Sequence, residues 1–243
     1  MDHFTFHLHK RGNAPGEYED AAAADPTSGR FAVADGATES SFAREWAKIL
    51  AEGFVTSKLD HLRCWPDRLP PLQERWRSDC GGRDLPWYAE MKFEQGAFAT
   101  FLGLSVQGRR VLTRQSWSAV AVGDSCLFQI RENELLMSWP LNNSADFDNI
   151  PSLLGSRTPP DEARQRERLK NGRWRAGDVF VLATDALAQW FLRQVEAEQQ
   201  PWWELQALST GPQSTEALTA RIDGLRDCHQ IRNDDVTLII IRL

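Results

Sequence analysis

The sequence predicts an α+β fold, and three observations carry that expectation. Strand-like segments crowd the middle of the chain, short links join consecutive strands, and helical stripes fall between strand blocks. Links such as Gln107-Gly108-Arg109 and Gly123-Asp124-Ser125 are too short for a parallel crossover, so the strands they join are expected to pair antiparallel. No internal repeat or linker interrupts the 243 residues, so 1–243 is read as a single domain able to bury its own core.

The elements follow in order. Phe4, Phe6 and Leu8 alternate with Thr5, His7 and His9, the period of a half-buried strand, with His3, His7 and His9 on its solvated face. A loop from Gly12 to Tyr18 leads to Glu19-Asp20 and four alanines. Arg30 to Ala34 reads as a short buried strand that stops at Asp35-Gly36. Thr38, Ser40 and Ser41 offer caps for a helix whose stripe is Phe42, Trp46, Ile49 and Leu50. From Thr56 to Pro86, prolines and glycines predict broken helices and loops. Ala97–Val106, Arg110–Arg114, Trp117–Val122 and Cys126–Arg131 read as strands. Leu141 to Pro160 is loop-like, and a loop of that length in a compact domain usually means function or disorder. Asp161 to Lys170, charged all round, is a solvated helix at best. Asp178 to Ala183 is a buried strand ending at Asp185. Leu187, Trp190, Phe191 and Val195 form one helical stripe, and Leu218, Ile222 and Leu225 another. Val236 to Ile241 closes the chain as a strand preceded by Asn233-Asp234-Asp235.

Composition excludes several function classes. Lys and Arg number 28 against 34 Asp and Glu, a net charge of −6, which argues against a nucleic-acid partner. Mean hydropathy is −0.46, and no apolar run approaches the roughly 18 residues of a membrane span. The N-terminal residues carry no leader pattern, so a cytoplasmic protein without a membrane partner is expected. Cys64, Cys80, Cys126 and Cys228 show no C-x-x-C pairing and read as reduced thiols. Ten tryptophans stand out, and Trp65, Trp76 and Trp87 read as core residues ahead of an interaction surface. No phosphate-binding loop, H-E-x-x-H or G-x-G-x-x-G motif occurs.

The informative pattern is acidic. Four apolar strands abut carboxylates: Asp35 after the first, Asp124 after the second, Asp185 after the third, and Asp234-Asp235 before the last. Each alone is an ordinary turn or cap residue. Their recurrence on the most buried strands, with Glu19-Asp20 as a further pair, suggests carboxylates meeting at one sheet edge. Like charges so close raise one another's pKa unless a cation joins them. Donors that are all oxygen favour Mg²⁺ or Mn²⁺ over zinc. The spacing therefore points to metal-assisted hydrolysis.

The order Glu19-Asp20-Ala21, Val33-Ala34-Asp35-Gly36, Ala121-Val122-Gly123-Asp124-Ser125, Leu182-Ala183-Thr184-Asp185 and Asp234-Asp235-Val236-Thr237 resembles the PPM family, the metal-dependent Ser/Thr protein phosphatases of type 2C. The resemblance spans nearly the whole chain. It implies a four-layer αββα sandwich of two antiparallel sheets flanked by helices. It also implies two Mn²⁺ or Mg²⁺ ions: Asp35 bridging both, the Gly36 carbonyl on one, and Asp185 and Asp234 on the other. Glu19 and Asp20 would act through waters, and Asp124 would serve a third, weaker ion. A metal-activated water would then attack the phosphoester, with Asp35, Asp185 and Asp234 as the catalytic carboxylates.

The departures from the family pattern concern the phosphate. The position of the usual phosphate-gripping Arg is Pro15, and Arg11 is the substitute available in the same loop. Asp35-Gly36-Ala37-Thr38-Glu39 lacks the His that some members carry, the usual S-D-G is Thr184-Asp185-Ala186, and the usual D-N-x-T is Asp234-Asp235-Val236-Thr237. The expected substrate is a phosphoserine or phosphothreonine protein, with a separate kinase or its target as partner. The alternatives are a metal-binding, weakly active relative serving as a regulatory or phospho-ligand-binding module, and a small-molecule phosphatase. Leu141 to Pro160 falls where the family places a variable flap, and is expected to govern substrate choice.

Overall fold

Alternating side chains along the strands build two sheets that share one interior. The computed structural model describes residues 1–38, 40–57, 62, 65–81, 87–108, 115–148 and 150–243, without the side chains of 87–89. One sheet runs in the order β1 (Asp2–Leu8), β11 (Val236–Arg242), β10 (Val179–Ala183), β6 (Cys126–Arg131) and β7 (Glu134–Trp139). The other runs β2 (Ala21–Asp25), β3 (Arg30–Gly36), β4 (Phe98–Gln107), β5 (Ser116–Val122) and β9 (Arg168–Gly172), with the short β8 (Leu154–Gly155) beside β4. Every pairing is antiparallel.

Phe31, Val33, Leu102, Leu104 and Trp117 of one sheet meet Leu127, Phe180, Leu182, Ile239 and Ile241 of the other between the layers. The outward residues of β3, β4 and β5, such as Ala32, Ala34, Phe101 and Val120, lie under α1 (Ala43–Thr56) and α2 (Leu69–Gly81). Phe6, Phe128, Val181 and Ile240 lie under α5 (Asp185–Glu196), α6 (Pro201–Leu208) and α7 (Ser214–Asp227). The result is the expected αββα sandwich. Trp65 and Trp76 are buried against α1, which is the core role expected of them; Trp87's side chain is outside the described part.

Several local expectations change. The segment Gly123-Asp124-Ser125 does not close a hairpin: β5 belongs to one sheet and β6 to the other, so this turn crosses between layers. The alanines after Asp20 form β2, held in the sheet by its ladder with β3 although alanine is a poor strand former. β7 and α6 are additional elements. Residues 161–170 divide into α4 (Pro160–Arg166) and β9, whose exposed charged residues suit an edge strand. Within Thr56–Pro86, residues 69–81 form one continuous helix, its two prolines falling in the first turn, where no backbone N–H is needed. Helix α1 begins at Ala43 after a left-handed Phe42 and without a side-chain cap. Ser40 instead accepts the Phe98 N–H at 3.1 Å. The expected strand Arg110–Arg114 and Cys64 lie outside the described residues. Cys126 and Cys228 are thiols, the first buried and the second exposed. Among the described residues, no helix is long and apolar enough to cross a membrane.

Candidate active site

The register of the two sheets gathers the carboxylates at one end of the sandwich. Ala21 pairs Ala34, Ala34 pairs Phe101, and Phe101 pairs Val122, which places the start of β2 and the ends of β3 and β5 together. In the other sheet Ala183 pairs both Cys126 and Leu238, so the end of β10 and the starts of β6 and β11 coincide. The crossing turn at Asp124 joins these two ends. Gly123 allows that crossing: its φ is +99°, and a Cβ there would stand 2.7 Å from Thr100 and 2.9 Å from the Ser152 carbonyl oxygen.

Asp20 is buried at the centre. Its Oδ2 accepts the hydroxyls of Thr184 (2.9 Å) and Thr237 (2.6 Å), which ties β2 to the opposite sheet. Its Oδ1 is buried without a partner, as is Oδ1 of Asp124. Asp35 and Asp20 lie within electrostatic reach of each other. Burial, together with the charges of Asp20, Asp185 and Asp124, pushes the Asp35 carboxyl well above its usual range. Burial likewise pushes Asp20 up to about 8 and Asp124 to about 7, with neighbouring carboxylates adding to both. Asp185 also rises through burial, opposed mainly by Arg232. Without a metal, these groups take up protons to relieve their mutual repulsion.

Glu19 is half-buried, and its carboxyl is raised by burial while Thr38 and Lys10 pull it down. Gly36 fits a tight cradle, because a Cβ there would meet the Glu19 carbonyl oxygen at 2.8 Å and Ala43 backbone at 2.9 Å. Asp234 accepts the Asp235 N–H at 3.0 Å. Asp235 itself is buried and acts as a clamp, accepting the Lys10 N–H on Oδ1 and the Glu19 N–H on Oδ2, both at 2.7 Å. Tyr18, its hydroxyl against Thr237, is held protonated by burial and by the Asp20 charge.

Of the residues expected at the site, Asp20, Asp35, Asp124, Asp185 and Asp234 are brought into mutual electrostatic range. Arg11 is engaged elsewhere: its exposed guanidinium pairs with Asp227 at 2.5 Å and Asp223 at 3.2 Å on α7. His3 and His7 tilt against Phe31 and Tyr18. Arg232, ion-paired to Asp185, belongs to the site although the sequence did not single it out, and Asp235, named there only as part of the Asp234-Asp235 pair, serves as a clamp. An Arg two residues ahead of the Asp234-Asp235 pair was visible but indistinguishable from a solvated loop residue.

Beside the acidic centre lies a cleft of about 480 Å³. Its lining includes Asp35, Thr38 and Asp234, Lys92 and Gln95 of α3 (Trp87–Gln95), and Pro151 and Leu153 of the long loop.

The donors suit a hard divalent cation in kind, being carboxylate oxygens with two buried ones lacking partners. Among the described residues, no three Asp, Glu, His or Cys side chains stand around one centre as a metal would hold them.

A four-layer sandwich with an acidic cluster at one end of both sheets is the architecture of the PPM Ser/Thr phosphatases, and this chain has that fold. No protein-family model matches the sequence, nor does any curated protein. Solved structures do. PppA, a regulatory component of the type VI secretion system of Pseudomonas aeruginosa, superposes with a TM-score of 0.63 at 17% identity, over 99% of this chain and 96% of that one. The catalytic domain of the serine/threonine phosphatase PstP, solved with two manganese ions, gives 0.59 at 17% identity, over 98% and 96%. MsPP of Mycobacterium smegmatis, a PPM Ser/Thr phosphatase in complex with cacodylate, gives 0.58 at 16%, over 100% and 98%.

Proposed function

We propose that this chain is a Mn²⁺- or Mg²⁺-dependent phosphatase acting on phosphoserine and phosphothreonine of a separate protein in the cytoplasm, with residues 1–243 as one domain. The observation that carries the reading is the convergence of Asp20, Asp35, Asp124 and Asp185 from separate strand ends, each raised by burial and by other carboxylates. Asp35, Asp185, Asp234 and the Gly36 carbonyl would hold two ions, with Asp124 available to a third. Bound there, the ions would lower the pKa of a water and neutralise charge on the phosphoryl oxygens.

The chain's own residues supply position. Thr184 and Thr237 fix Asp20, and Asp235 fixes the backbone of Glu19. Lys92 on the wall of the cleft supplies positive charge toward a phosphate. The cleft is open at the surface and large enough for a phosphorylated side chain on a peptide. Arg11, tied to α7, is not the residue we assign to the phosphate.

A second reading is a metal-binding regulatory module of weak activity. The ion pair between Arg232 and Asp185, together with Pro15 in place of a phosphate-gripping arginine, favours it. One experiment separates the two: hydrolysis of p-nitrophenyl phosphate and a phosphothreonine peptide with Mn²⁺, with Mg²⁺ and with chelator, for wild type and Asp185→Asn. Metal-dependent turnover lost in the variant supports the enzyme. Metal binding without turnover supports the module, and turnover indifferent to metal and to Asp185 refutes both.

A further inference from the structure

The acidic centre contains a cation of its own. Arg232 lies in the loop between α7 and β11, and its Nη2 donates to Asp185 Oδ2. Asp185 Oδ1 accepts the Ala186 N–H at 2.5 Å, so both oxygens of this carboxylate are engaged by protein. Asp185 is also the carboxylate assigned above to an ion.

We propose that Arg232 is a resident counter-ion which an incoming divalent cation must displace from Asp185, and that this exchange sets the metal affinity of the site. The inference rests on the metal-site reading above. A positive charge held against a ligand carboxylate both repels the ion and occupies one of the donor oxygens. It also keeps the metal-free cluster folded by pairing a carboxylate that would otherwise be buried among like charges. Arg232 is a positioning residue in this scheme, acting through Asp185 and not on substrate. Its partial exposure leaves the guanidinium room to swing into solvent once Asp185 is taken.

The test is calorimetric titration of Mn²⁺ into the chelator-treated wild type, Arg232→Gln and Arg232→Lys, with the melting temperature of each recorded with and without Mn²⁺. Arg232→Gln is expected to bind Mn²⁺ roughly tenfold more tightly, within the range usual for coupled sites. It is also expected to melt lower than wild type without metal and to gain more on adding it. Arg232→Lys, which keeps the charge, stays with the wild type. Equal or weaker Mn²⁺ binding by Arg232→Gln overturns the proposal while leaving the metal site standing. So does equal tightening in Arg232→Lys, because charge is then not the cause. If neither wild type nor Arg232→Gln binds Mn²⁺, the metal-site reading itself falls and takes the counter-ion with it.

Discussion

Replacing Asp235 tests whether the second acidic residue of the Asp234-Asp235 pair is a clamp or merely another negative charge. Its two oxygens each accept one backbone N–H at 2.7 Å, from Lys10 just after β1 and from Glu19 just before β2. Each bond to an ionised acceptor contributes about 1.5–3 kcal/mol. Lys10 and Glu19 are only partly buried, so water recovers some of the loss in Asp235→Ala. The low end for both bonds together, about 3 kcal/mol, is the expected destabilisation. For a chain of this length that corresponds to a fall in melting temperature of about 6–12 °C. An opposing effect exists, since the Asp235 charge pushes Asp20 and Glu19 upward and its removal relieves repulsion. Asp235→Asn separates the two effects: it removes the charge, keeps one acceptor oxygen, and sets an amide N–H₂ against the other backbone N–H. The clamp predicts a loss of about 1–2 kcal/mol for Asn, between wild type and Ala. Urea and thermal unfolding of chelator-treated protein at neutral pH gives the order directly. An Ala variant within about 0.5 kcal/mol of wild type, or an Asn variant more stable than wild type, refutes the clamp.

At the opposite end of β10, Asp178 is wholly buried and held by Arg131 through two 2.7 Å contacts, by Gln129 at 2.8 Å and by the Arg175 N–H at 3.0 Å. Burial works to raise this carboxyl, but the Arg131 pair and the neighbouring donors overcome it and hold the group below its usual value. Arg131→Ala, which leaves the charge buried, should cost about 3–5 kcal/mol by urea unfolding, with metal affinity unchanged. Because the folded pKa is lowered, the Asp178 contribution is full above the unfolded value of about 3.9 and vanishes as pH falls through the folded one. The stability gap between wild type and Asp178→Asn should accordingly be flat from pH 5 to 7 and shrink below pH 4, and a gap that grows on acidification contradicts this assignment. For the long loop, shortening residues 141–150 while keeping Pro151 and Leu153 should alter the ranking of a phosphopeptide panel more than turnover of p-nitrophenyl phosphate; an unchanged ranking counts against a role in substrate choice.

The legible part of the fold was the part in which local pattern and burial agree. Phe4, Phe6 and Leu8 alternate because one face of β1 is covered, and Val236 to Ile241 is apolar at every position but Thr237 because β11 is covered on both. β2 and β9 were not legible for the converse reason. Four alanines carry little strand preference, and β9 is mostly exposed and polar with Arg168 and Lys170, so both owe their form to the ladders of β3 and β5.

By itself the sequence determined which strands end in carboxylates and in what order, because a strand's apolar run and the acid that stops it are adjacent in the chain. It thereby determined the acidic character of the site, and the grouping of strands and helical stripes determined the α+β class. Only the tertiary structure decided what those carboxylates face. The turn at Asp124 crosses between sheets, a choice fixed by strand pairing far along the chain. Asp20 meets Thr184 and Thr237, Asp235 clamps Lys10 and Glu19, Arg11 goes to α7, and Arg232 reaches Asp185. Several of these contacts join residues more than 150 positions apart. A pairing of that kind follows from register and packing, for which neither partner's local sequence carries a signal.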